Sequence, residues 1–114
     1  MAYDEFLADR IRISLKGKNV FYTEKKMMGG LSFMVDNKMC IGVVKQNLAI
    51  RLDPEIQQAV LRKKGCKEMD FTGRPMKGFV FVEPEGIDME EELEYWINLA
   101  LEYNPRAKPS KKKG

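Results

Sequence analysis

Histidine is absent from this chain of 114 residues. Its absence removes the usual near-neutral general base, the Ser-His-Asp and Cys-His routes to an activated nucleophile, and histidine-ligated zinc. Cysteine is scarce too. Cys40 and Cys66 form no CxxC pattern and are expected as reduced thiols. No apolar run approaches the ~20 residues that a membrane-crossing helix needs. The opening MAYDEFLADR carries acids where a signal peptide would carry a basic and then an apolar stretch, so a cytoplasmic protein is expected. Gly29-Gly30 sits in neither a dinucleotide nor a phosphate-loop pattern and joins strand to strand. The carboxylates Glu68 and Asp70 are close in sequence, but a solvated loop is a poor setting for acid–base work. No catalytic, metal-ligating or cofactor-binding residue is assigned, and catalysis is not expected.

What is present is a β-meander between Lys25 and Leu52. Leu31, Phe33 and Val35 alternate with Ser32 and Met34; Met39, Ile41 and Val43 with Cys40, Gly42 and Val44; Leu48, Ile50 and Leu52 with Asn47, Ala49 and Arg51. Such alternation places each set on one side of a sheet. Turns are expected at Gly29-Gly30, Asp36-Asn37 and Lys45-Gln46-Asn47.

Helices flank the meander. Asp4 to Lys16 carries Phe6, Leu7, Ile11, Ser14 and Leu15 at helical spacing, with acids early and Lys16 late, as the helix dipole favours. Asp53-Pro54-Glu55 reads as the start of a second helix over about 54–64, with Gly65 as its left-handed cap. GCKEMDFTGRPMKG reads as a structured loop, with room for one short edge strand around Glu68 to Phe71. Gly78 to Glu83 forms a further strand, and a last helix over about 89–103 presents Leu93, Trp96, Ile97, Ala100 and Leu101 on one stripe after a capping-box pattern at Asp88 and Glu91. The expected fold is α+β, a two-layer sandwich in the order α-β-β-β-β-α-β-α, with a mainly antiparallel sheet of about five strands and three helices. Residues 1–104 form the domain and 105–114 a disordered lysine-rich tail.

Several strands are apolar on both sides. With strict alternation, Met34, Cys40, Val44, Val80 and Val82 fall opposite the core set, which makes them the candidate seam of a homodimer. The methionines Met27, Met28, Met34, Met39, Met69 and Met76 suit either core filling or an adaptable binding surface.

Charge divides by segment. Residues 1–82 carry 15 Lys and Arg against 9 Asp and Glu; residues 83–104 carry 8 acids and no base; residues 105–114 carry 5 bases and no acid. Arg62, Lys63, Lys64, Lys67, Arg74 and Lys77 form a candidate patch for an anionic partner, although lysines at a helix C-terminus also follow from the dipole alone. The tail lysines offer weak, salt-sensitive affinity for nucleic acid or, more simply, solubility.

KKMMGGLSFMVDNKM, LAIRLDPE, MDFTGRPMKGFVFVEPEG and the ELEYWINLALEY helix occur in that order. Together they resemble the TfoX N-terminal domain family over roughly residues 3–104, with Met28 where the family usually has Phe and Asn37 where Gly is usual. The resemblance implies an antiparallel α+β fold similar to that of secretion chaperones and a link to the regulation of competence genes. The function expected is a non-catalytic protein-interaction or regulatory module; the alternatives are a weak nucleic-acid-binding regulator acting through the basic loop and tail, and an enzyme of unknown reaction.

Overall fold

Asp4 sets the start of helix α1, Glu5–Gly17, because its carboxylate accepts the Phe6 and Leu7 backbone N–H groups at 2.9 and 3.3 Å. In the computed structural model, which describes residues 3–27, 29–70 and 75–107, the meander follows as β1 (Thr23–Met27), β2 (Gly30–Val35), β3 (Lys38–Val44) and β4 (Asn47–Arg51). Its turns use the expected residues. Asp36 and Asn37 both take positive φ, 56° and 62°, the mirror-type turn whose twist matches the flanking strands. Gly30 is constrained by space, since a Cβ there would stand 2.1 Å from the Val43 carbonyl oxygen.

Asp53 caps a 3-10 turn, Pro54–Ile56, by accepting from the Glu55 N–H at 2.9 Å, and helix α2 occupies only Gln57–Val60. The helix expected to reach residue 64 stops early because the chain must fold back onto the segment after the last strand. A Cβ on Gly65 would lie 2.8 Å from the Gly86 nitrogen, and one on Gly86 would lie 2.4 Å from the Lys64 carbonyl oxygen. Gly65, at φ 80°, thus serves a backbone crossing and does not cap a helix.

Strands β5 (Cys66–Asp70) and β6 (Pro75–Val82) complete one sheet, and helix α3, Glu90–Tyr103, begins one residue later than the sequence pattern suggests, with the Glu92 carboxylate accepting from the Met89 N–H at 2.9 Å. The sheet has six antiparallel strands in the order β1-β2-β3-β4-β6-β5. The α+β expectation holds, and the sixth strand is β5, the short edge strand. The fold also runs past residue 104. A 3-10 turn, Asn104–Arg106, follows α3; Arg106 pairs with Asp53 at 3.0 Å, and Ala107 is buried. Residues 108–114 lie outside the described residues.

Helices α1 and α3 cover one face of the sheet. Leu7, Ile11 and Leu15 from α1 and Leu93, Trp96 and Ile97 from α3 join Phe33, Ile41, Leu48 and Ile50 in the main core. Phe6 does not join it: at 74% exposed, it points outward. Two further corrections concern the candidate seam. The β2–β3 register pairs Phe33 with Ile41 but Met34 with Met39, so Cys40 is the extra residue of a bulge. It turns into the main core at 1% exposure, and Met39 moves to the opposite face. In β6, Val80 and Val82 pair with Ile50 and Leu48 and are wholly buried in the same core. Antiparallel partners share a face, but a run of Phe, Val, Phe and Val conceals which set points inward. Val44, by contrast, is only half-buried, and Met34 does lie on the second face.

Candidate interaction surface

The two thiols are poor nucleophiles. Burial pushes the Cys40 thiol up to about 12, with only slight opposition from Arg51, and burial pushes Cys66 to about 11. Among the described residues, no group of three or more Cys, Asp or Glu side chains is placed to hold a metal ion.

Two of the six basic residues meet acidic partners and a third meets an aromatic ring. Lys63 lies over the Tyr95 ring, 4.6 Å from its centroid; Lys64 approaches Glu92 at 3.9 Å; Lys67 bonds Glu83 at 2.7 Å. Arg62 and Lys77 are exposed on separate elements, and Arg74 lies outside the described residues. The turn after α2 and the start of α3 enclose a groove of about 460 Å³ between Lys63, Lys64, Met89, Glu92, Tyr95 and Trp96. Glu92 of α3 and Glu83 ahead of it thus pair with two of the lysines expected to face a ligand, and Tyr95 of α3 lies under a third. That outcome was foreshadowed by the opposite charges of the segments before and after residue 83, but the sequence does not reveal that they meet within one chain.

A different surface emerges on the second sheet face. Met39, Ala49 and Met69 cluster there with Met34, Phe79 and Phe81, and every described member comes from a strand. One cross-strand row runs Lys25, Ser32, Gly42, Ala49, Phe81, Lys67, which sets an apolar centre between lysines at the two sheet edges. Arg51 stacks over Phe79, 5.5 Å from the ring centroid. On this face Lys25, Arg51 and Lys67 supply positive charge, with Glu83 bonded to Lys67 at the margin. Small residues keep the middle of the row flat: a Cβ on Gly42 would press on the Leu31 carbonyl oxygen at 3.2 Å. Sequence reasoning placed Met34 on this face and named Met39 and Met69 as residues suited to either core filling or a binding surface. Phe79 and Phe81 were legible as strand residues, but the bulge at Cys40 and the register of β6 had to be known before their side could be assigned.

The motif residues now have structural roles. The glycine pair forms the β1–β2 hairpin, LAIRLDPE builds β4 and the Asp53 cap, and the tryptophan helix closes the core. Comparison with curated protein sequences gives no match. The family model of the TfoX N-terminal domain matches residues 19–103, three quarters of the chain from the end of α1 to the end of α3, and the chain therefore belongs to the TfoX N-terminal domain family.

Proposed function

We propose that this chain is a non-catalytic protein-interaction module of the competence-regulator type, and that its partner docks on the second sheet face through a segment bearing apolar and acidic side chains. The observation that carries this reading is the methionine and phenylalanine cluster of that face, bordered by Lys25 and Arg51. Methionine side chains adapt to differently shaped apolar partners, and cations at the margin favour carboxylates over a like-charged surface. Family membership supports a regulatory setting. The basic patch gives less support to nucleic-acid binding, because Lys63, Lys64 and Lys67 are already engaged by Tyr95, Glu92 and Glu83.

Affinity capture from the native cell, with and without nuclease, tests the proposal. The expected result is a protein partner that survives nuclease, is retained by wild type, and is lost from Met34→Asp and Arg51→Glu variants whose circular dichroism is unchanged. Recovery of nuclease-sensitive material alone, or capture indifferent to both substitutions, would sink it.

A further inference from the structure

Helix α1 carries an outward stripe that the fold leaves uncovered. Phe6 and Ile13, one heptad apart and so on one side of the helix, are 74% and 70% exposed. Leu7, Ile11, Ser14 and Leu15 occupy the buried side. Beside the apolar stripe runs a row at positions i, i+4, i+7 and i+11: Glu5, Asp9, Arg12 and Lys16. Its charges read minus, minus, plus, plus. A row of that kind is complementary to its own reverse.

We infer that α1 packs antiparallel against α1 of a second copy of this chain, about a two-fold axis near residues 9 and 10. Phe6 of each copy then meets Ile13 of the other, while Glu5 faces Lys16 across the seam and the Asp9–Arg12 pair of each copy lies between them. The two-fold repeats every contact. A parallel two-fold would carry the charged rows of the two copies to opposite sides of the seam and leave them unpaired, and a two-fold through the second sheet face would bring two cationic margins together.

The neighbouring groups agree with this arrangement. Glu24 on β1 grips Arg12 at 2.7 and 3.0 Å, and Asp9 holds it at 2.5 Å, so its guanidinium is fixed on the flank before any partner arrives. Glu5 accepts from the Tyr3 hydroxyl and reaches Arg12 at 3.9 Å, and Lys16 has no ion pair among the described residues. These two are the flank charges available to a second copy. Arg10, on the other flank, is tied to Glu90 of α3 at 3.5 Å. A helix of 13 residues is about 20 Å long, so the seam is smaller than a standard interface and the dimer is weak and rapidly exchanging, with a dissociation constant on the order of 100 μM.

Sedimentation velocity from roughly 10 μM to 1 mM, spanning that constant, tests the inference on the full chain. The average mass should climb from monomer toward dimer, and Ile13→Ser should keep the protein monomeric with unchanged circular dichroism. Lys16→Glu and Glu5→Lys should each weaken self-association by about tenfold, because each sets like charges opposite across both halves of the seam. Mixing these two variants should restore association as a heterodimer, since Glu5 of one then meets Lys16 of the other and the two introduced charges meet likewise. A strictly monomeric mass at the highest concentration would overturn the inference. So would a dimer indifferent to Ile13→Ser, or a mixture of the charge variants that associates no better than either alone.

Discussion

Trp96 is the largest fully buried side chain, 2% exposed, and its ring meets Tyr95 edge-on with centroids 5.2 Å apart. The stripe Leu93, Trp96, Ile97, Ala100 was legible because it falls on a long helix with strong 3.6-residue spacing. Trp96→Ala should lower stability by about 3–5 kcal/mol, read from denaturant unfolding, and an unchanged midpoint would contradict its anchoring role. Phe6 shows where residue-level reading fails: it stands next to Leu7 in the helix, and an angular step of one residue at the edge of the stripe decides between core and solvent. Glycines divide in a comparable way. Gly17 has nothing within 4 Å of a would-be Cβ, whereas at Gly30 that atom would stand 2.1 Å from the Val43 carbonyl oxygen. Gly17→Ala should stabilise by roughly 0.4–1 kcal/mol. Gly30→Ala should destabilise by about 1–3 kcal/mol or more, so thermal melts should move in opposite directions.

At the scale of elements, the two long helices are joined by side chains that no periodicity announces. Ser14 Oγ donates to Glu94 Oε2 at 2.7 Å, and Lys18 of the segment after α1 bonds the other carboxylate oxygen. Arg10 to Glu90 repeats the link one turn earlier. Burial alone would raise the Glu94 pKa, but the hydrogen bonds from Lys18 and Ser14 outweigh it and hold the carboxylate below its usual value of 4.5. A folded-state pKa below the unfolded one adds stability that is fully present above the unfolded value and lost as pH falls through the folded one. The melting-temperature gap between wild type and Glu94→Gln should therefore be constant near neutrality, narrow below about pH 4.5, and close at lower pH. A gap that persists unchanged to pH 3 would refute the linkage. Helix α2 is held differently. Gln57 is buried, accepting from the Gly78 N–H at 2.7 Å and donating to the Phe79 carbonyl at 3.3 Å, so its amide fastens a one-turn helix to β6. Its Asp53 cap was readable from sequence; its length was not, because the glycine crossing that ends it depends on a segment twenty residues away.

For the whole molecule, the antiparallel meander and its turns were legible from alternation and turn chemistry, and so was the helix layer. The make-up of the second sheet face was not. One bulged residue, Cys40, exchanges the sides of Met39 and Cys40, and the β6 register exchanges Val80 and Val82 with Phe79 and Phe81. Alternation tells which residues share a side only while strict pairing lasts. Charge behaved likewise: the segment balance was visible, but the meeting of Lys63 and Lys64 with α3 is a tertiary fact.

The strand order carries a consequence for how the protein is made. β1 to β4 are sequential neighbours and can pair as they leave the ribosome, whereas β4 waits for β6, which begins at Pro75. Until that strand emerges, β4 presents an open edge bearing Leu48, Ala49 and Ile50, all of which end wholly buried. An open apolar edge is a template for pairing with the wrong chain. Nascent chains from which β4 but not yet β6 has emerged should thus be the aggregation-prone and chaperone-dependent species, and emergence of the chain through Val82 should end that dependence as β6 closes the edge.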